Sequence, residues 1–328
     1  MKNQYVKYLF LFALCLLHCV LAAQEKFFVV KDSLTNETLP YATVDFLNGY
    51  GVFSDENGKV VLDKEFPETV KVSFMGYEAK KVSIAKAIQA DVLLHPTAKV
   101  LEELKVIVDK EELKKRKTFV TQPVVHENID RMYWSSLGQQ YAFYIPKERR
   151  KAVLKGISIP LIVKDLYQGA AEEVFEDKPY GTTMKVEFMT NGANTPGEKL
   201  YEYTKVFVIH SGKVSQKIEV AFEENIPIPE QGLFVVMTVL GKTNELGEHV
   251  PELAFGIREV HGVKKKFIKI ILPNYPLVEA PKGVLTLFRH TFNENQQWRR
   301  INRPMVYKKD VNYPLYNIGI GYTVTGFN

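Results

Sequence analysis

The sequence predicts an all-β protein: a seven-stranded N-terminal β-sandwich followed by a larger antiparallel β-sandwich of jelly-roll-like size. Three observations predict it. Short runs of alternating apolar and polar residues recur along the chain, the period-2 pattern of half-buried strands. Aromatic residues are plentiful, with 20 Phe and 17 Tyr, and such residues favour strands. Clusters of turn residues punctuate the runs at short intervals, and no long stretch of period 3.6 competes with them.

Residues 1–23 carry the parts of a secretory signal and are expected to be removed. Lys2 and Lys7 form the positive end and Tyr8 to Leu21 the apolar run; Val20-Leu21-Ala22-Ala23 offers a cleavage site before Gln24. The run falls short of the roughly 20 apolar residues that span a bilayer, and His18 interrupts it. No transmembrane segment is expected once the signal is gone. The chain is therefore expected to be exported, to the periplasm, the outer membrane or the medium. Cys15 and Cys19 are the only cysteines, and both lie in this segment. Lipidation of Cys19 is disfavoured by the bulky His18 before it, so the mature chain is expected to lack thiols. Its stability then rests on buried apolar area, which roughly 300 residues can supply. Losing Lys2 and Lys7 lowers the formal charge from +5 to +3, too weak for a nucleic-acid footprint. Charges of both signs are interspersed, as on a solvated surface.

Residues 24–97 read as the small sandwich. Phe27 to Val30 opens a strand, and Asp32 to Glu37 is a polar turn cluster. Ala42, Val44 and Phe46 then alternate with polar neighbours. Gly51 to Ser54 and Lys59 to Leu62 flank Asp55-Glu56-Asn57-Gly58, whose Asn-Gly pair predicts a hairpin because both residues tolerate positive φ. Val70, Val72 and Phe74 alternate again, and Gly76 ends that run before Tyr77. Val82 and Ile84, then Val92 to Leu94, complete about seven strands. Asp55 to Gly58 superficially suggests a calcium loop, but Phe53 stands where another oxygen ligand is needed. Phe74-Met75-Gly76-Tyr77 offers an apolar edge, read first as sandwich packing and second as a contact surface.

The order D-x-x-T-x-E-x-L-P-Y-A-T-V from Asp32, S-D-E-N-G-K-V-x-L from Ser54, and V-S-F-M-G-Y-E from Val72 resembles the carboxypeptidase regulatory-like domain. This is a transthyretin-like, Ig-like sandwich. The resemblance covers about a quarter of the chain. It implies the kind of domain common at the N-termini of exported Bacteroidetes proteins, TonB-dependent outer-membrane receptors among them, with a structural or accessory role and no catalytic residues. Leu101-Glu102-Glu103-Leu104-Lys105-Val106-Ile107-Val108 resembles the segment that often follows the domain.

Residues 98–150 read as a charged connector and lead-in. Lys110 to Lys117 is dense in charge, while Met132-Tyr133-Trp134 and Tyr141 to Ile145 have strand-like aromatic content, which puts an alternative start of the second domain near Phe119. Residues 151–328 read as the larger sandwich. Its strands are expected over Gly156 to Val163, with Pro160 at an edge or bulge, and over Thr183 to Met189, with Met184, Val186 and Phe188 on one face. More are expected over Tyr201 to Ile209, Val214 to Phe222, Leu233 to Leu240, Lys266 to Leu272, Val284 to Phe288, Gln297 to Ile301 and Tyr316 to Thr325. Asn191 to Gly197 is a loop by composition, and the prolines of Ile226 to Gly232 exclude a central strand or helix. The stretches F-M-T-N-G-A-N-T-P-G-E-K-L and I-P-I-P-E-Q-G-L-F-V-V-M are similar to the C-terminal region of uncharacterised flavobacterial proteins, a likeness that implies no activity.

Neither catalytic nor cofactor-binding residues are expected. His249-Val250-Pro251-Glu252 has the H-x-x-E spacing of zinc carboxypeptidases. The third ligand of that class lies a hundred or more residues downstream, however, and only His261 and His290 follow. No metal site is expected. His210 reads as a hairpin-turn residue. The candidate ligand contacts are Trp298 with Arg299 and Arg300, a set suited to an anionic glycan, and Trp134. An isolated strand Trp is more often a packing residue. The function expected is that of a non-catalytic accessory or interaction module, partnered by an outer-membrane complex or a glycan. A carbohydrate-binding module is the alternative, and a hydrolase comes third. A TonB-dependent barrel of about 22 strands of roughly 10 residues exceeds what the chain can supply.

Overall fold

The computed structural model describes residues 26–62, 66–97, 116–162, 181–201, 203–210, 216–244, 246–250, 255–268, 270–280, 285–293, 295, 297–304 and 307–327. The stretch read as a signal, residues 101–108 and most of the stretch Lys110 to Lys117 lie outside them. Among the described residues the protein is all-β, with one short α-helix and one 3-10 turn.

The first unit holds β1 (Phe27–Asp32), β2 (Thr43–Asp45), β3 (Gly51–Phe53), β4 (Lys59–Val61), β5 (Thr69–Ser73), β6 (Lys80–Ser83), α1 (Ile84–Ala90) and β7 (Val92–Leu94). They form two sheets, β4-β1-β7 and β3-β2-β5-β6. Alternation fixes which face of each strand is buried: Phe28, Val30, Val44, Val70, Val72 and Leu94 point into one core between the sheets. At about 25 cal/mol per Å2, each such side chain contributes roughly 1.5–3 kcal/mol.

Three details differ from the sequence reading. The Asn57-Gly58 turn closes tightly, with Asp55 N donating to Lys59 O at 2.9 Å and Gly58 at φ +73. Yet β3 pairs with β2 and β4 with β1, so the turn carries the chain from one sheet to the other and does not form an ordinary hairpin. Ile84 begins a helix, not more strand: Ile84-Ala85-Lys86-Ala87-Ile88-Gln89-Ala90 lacks alternation and buries Ala87. β7 runs parallel to β1, an exception to the expected antiparallel pairing; the crossover that parallel neighbours need is made by the intervening strands of the other sheet and α1.

The second unit begins with β8 (Lys117–Thr121), β9 (Met132–Ser136), β10 (Gln139–Ile145), β11 (Arg150–Pro160), β12 (Gly181–Asn191) and β13 (Pro196–Lys199). It continues with β14 (Lys205–His210), β15 (Lys217–Pro227), β16 (Leu233–Thr243), β17 (His249–Val250), β18 (Phe255–Val260) and β19 (Val263–Ile268). It ends with β20 (Ile270–Glu279), β21 (Thr286–His290), β22 (Arg299–Arg300), β23 (Tyr316–Ile318) and β24 (Gly321–Phe327). An eight-stranded sheet runs β13-β12-β16-β10-β21-β22, with β14 also on β12 and β17 on β16; a four-stranded sheet runs β15-β11-β24-β8. The strands β23-β20-β9 form a third sheet, and β18-β19 stand apart as a two-stranded ribbon. Met184, Val186 and Phe188 share the core with Tyr141, Val235 and Leu154, as the period-2 pattern requires.

Strands β8, β9 and β10 come from the stretch read as lead-in, yet they pair with β24, β20 and β16. The paired sheets of the larger unit therefore start at Lys117. Their wide spacing in sequence hid this, because each finds its partner 88 or more residues away. Pro160 ends β11, two residues past the last pairing with β24 at Ser158, so its missing N–H removes nothing from that ladder. The prolines after Ile226 close β15, an edge strand.

The two units meet through side chains. Phe53 of β3 packs on Phe292, ring centroids 5.4 Å apart and tilted at 45°, and Tyr41 and Tyr50 lie against the larger core. Gly51 and Gly138 flank the Phe292 ring so closely that a methyl on either would collide with it.

Candidate functional site

Strand alternation leaves a second set of side chains on the outward face of the eight-stranded sheet. Register places Lys185 beside Thr238, Thr238 beside Gln140 and Gln140 beside Arg289. These four make one polar row across β12, β16, β10 and β21. The next row over is Glu187, Val236, Ala142 and Leu287. Its apolar members form a small cluster with Phe234 and Met189, against which Tyr144 and Trp298 pack.

The small unit faces the polar row with one of its own. Thr43 and Ser73 are register partners across β2 and β5, as are Asp45 and Lys71. Between the two faces lies a cleft of about 210 Å3, lined also by Phe74 and Met75. The Phe-Met-Gly-Tyr edge thus does both things considered for it. Tyr77 and Phe74 pack on the small core, ring centroids 5.5 Å apart, while Phe74 and Met75 line the cleft between the units.

The polar groups are tied to one another. Gln140 Nε2 donates to Thr238 Oγ1 at 2.9 Å, and its Oε1 accepts from Arg289 Nε at 2.6 Å. Glu187 is only 3% exposed. It takes Lys185 Nζ at 3.1 Å on one oxygen and Lys199 Nζ at 3.5 Å on the other. Burial acts to raise its pKa, but the two ammonium groups together outweigh burial and hold the carboxyl below its ordinary range. Burial pushes the Arg289 pKa down, with the Glu187 charge acting the other way. A buried polar network of this kind specifies its geometry closely, since any orphaned member is costly.

Of the residues singled out from sequence, one joins this site. Trp298 is half-buried, and the Arg289 guanidinium stacks on it, 4.3 Å from the ring centroid. Such a stack is worth roughly 0.5–2 kcal/mol. Arg299 and Arg300 pair with Phe288 and Leu287 along β22 and are exposed. Trp134 belongs to another sheet, on β9, where its carbonyl accepts the Tyr141 hydroxyl at 2.5 Å. Trp134 is therefore not gathered with Trp298. His210 is the last residue of β14, paired with Gly181, and not a turn residue. His249 sits on β17 beside β16; Glu252 lies outside the described residues. Among the described residues no three His, Cys, Asp or Glu side chains converge as a metal cluster. Sequence reading missed Lys185, Glu187, Gln140, Thr238, Arg289 and Lys71. The available signal was the polar half of each alternating strand, which gives a face but not the partner opposite it.

Two histidines are half-buried near the seam. Burial lowers the pKa of His249, with Asp55 and Glu56 of the small unit opposing it, and lowers that of His290, which packs on Phe292 at 5.7 Å. Folded values below the ordinary 6.5 mean that the unfolded chain binds protons first as pH falls. Stability is then complete above about pH 6.5 and declines toward the lowered folded values. Urea unfolding midpoints should fall between about pH 7 and pH 5, and a His249→Gln, His290→Gln double variant should flatten that decline.

No family model matches the chain, and no curated protein matches it. Among solved structures, the clostridial cysteine protease Cwp84 after propeptide cleavage aligns with a TM-score of 0.31 and 11% identity, over 93% of this chain and 71% of that chain. A likeness at that level carries no argument about this protein.

Proposed function

We propose that this is an exported, non-catalytic protein that works as an accessory or interaction module of the periplasm or outer membrane, with an N-terminal sandwich of the carboxypeptidase regulatory-like kind. The observation that carries the reading is the ribbon β18-β19. It pairs with no other strand among the described residues and exposes Ile257 at 48% and Val263 at 57%. Lys264 and Lys265 lie exposed beside them. His261 and Gly262 both have positive φ, 53° and 76°, the turn whose twist matches paired strands. A two-stranded ribbon is marginal in water by itself, and its open edges are templates for pairing with another chain. The grouping of three strands over four in the small unit supports the regulatory-like assignment.

The test is recovery of the tagged protein from native membranes, wild type against Ile257→Asp with Val263→Asp. Capture of one discrete envelope complex by wild type, lost in the double variant with the unfolding midpoint unchanged, is the expected result. A monomer that captures no complex in either form rejects the reading. A carbohydrate-binding role is the second reading, favoured by the Arg289–Trp298 stack beside the polar cleft.

A further inference from the structure

We infer that the cleft between the two units binds a small polyhydroxylated anion of monosaccharide size, a sugar acid. The inference rests on the carbohydrate-binding reading and is independent of any envelope partner. Size comes first: about 210 Å3 lies below the roughly 300–1,000 Å3 of pockets for drug-sized ligands, so one sugar ring with its substituents is the matching occupant.

Charge comes second. Lys71, Lys185 and Arg289 line the cleft against Asp45 and Glu187. Glu187 also takes Lys199 from beside the cleft, so the cations around it exceed the carboxylates. Lys185 and Lys199 are spent on Glu187. Lys71 is different. Asp45 stands opposite it in register but its Oδ1 accepts the Leu47 N–H at 2.8 Å, and no ion pair joins the two. Lys71 lines one wall of the cleft and Arg289 the other, so an anionic group held there has a cation on each side. Arg289 is held for that task by Gln140 at its Nε and Trp298 at its face, and a guanidinium fixed in this way loses little freedom on meeting a carboxylate.

The remaining lining fits a sugar's hydroxyls. Thr43 and Ser73 from the small unit line the cleft together with Thr238 and Gln140 from the large one, and each can donate and accept. The site is complete only when the units are docked, because each supplies one wall. Ligand binding therefore also stabilises the docked arrangement by mass action.

The test is calorimetric titration of the full chain with D-galacturonate, D-galactose, acetate and inorganic phosphate as separate probes. Galacturonate should bind, with galactose and acetate at least about tenfold weaker, the factor that one charge-assisted contact supplies. Lys71→Gln should weaken galacturonate binding by about tenfold without moving the unfolding midpoint. Ser73→Ala, which leaves the charges alone, should weaken it by about threefold and serves if Lys71→Gln folds poorly. Absence of galacturonate binding, equal affinity for phosphate or acetate, or unchanged affinity in both variants overturns the proposal. If an envelope complex is nonetheless captured through the ribbon, only the sugar-acid site has failed; galacturonate binding without such a complex rejects the accessory role alone.

Discussion

Phe292→Ala should uncouple the two units and cost about 3–5 kcal/mol, the range for removing a fully buried aromatic side chain. Phe292 is 1% exposed although it lies in a turn after β21. It meets Phe53 of the small unit on one side and His290, the last residue of β21, on the other. Gly51 and Gly138 come so near the ring that no other residue fits at either place. Little can collapse into the space it leaves, because Phe53 and His290 are held on strands of two different sheets. Chemical denaturation should therefore change from one transition to two. Limited proteolysis should release the two units as separate fragments faster than in wild type. A single transition at the wild-type midpoint would contradict this.

Glu187→Gln should be comparably damaging, at about 3–5 kcal/mol, since it removes the buried counter-charge of two half-buried ammonium groups. Lys185 and Lys199 are only 15% and 11% exposed, so water can compensate them only in part. Replacing all three residues together, Lys185→Met with Glu187→Leu and Lys199→Met, should restore stability to near wild type or above, because a buried ion network seldom outperforms a packed apolar one. The acid limb carries the same signature. The folded Glu187 pKa lies below its ordinary 4.5, so its contribution is present above about pH 4.5 and is lost as pH falls through the lowered value. Comparing wild type with the triple variant across that range isolates it.

What was readable from sequence follows from the range of each interaction. The alternation of Ala42, Val44 and Phe46, or of Met184, Val186 and Phe188, is local, and all six side chains lie in the two cores. The all-β class and the division into a smaller and a larger sandwich follow from such runs. Pairing is not local. Asn57-Gly58 predicts a turn correctly, but whether the flanking strands pair depends on β1 and β2, which compete for them. Ile84 follows Val82 at strand spacing, and only the helix-forming composition after it signals the change. The cleft was the least legible part. Its members, Lys71, Gln140, Lys185 and Arg289, are each an ordinary polar residue on a strand, joined only by register across four strands and by docking of a second unit. Trp298 stood out for its rarity and marks the site indirectly, as the surface on which Arg289 rests.

Strand β24 lies between β11 and β8, and Thr118 meets Thr325 across 207 residues of chain, their hydroxyls 3.1 Å apart. A nascent chain emerges N-terminal end first, and domains generally fold as units in that order. The small unit has all its strands once residue 94 is out, whereas the four-stranded sheet lacks an interior member until residues 321–327 arrive. Through most of synthesis β8 and β11 are thus open edges, and topologies closed so late assemble slowly. A holdase that shields those two edges is the assistance this topology calls for.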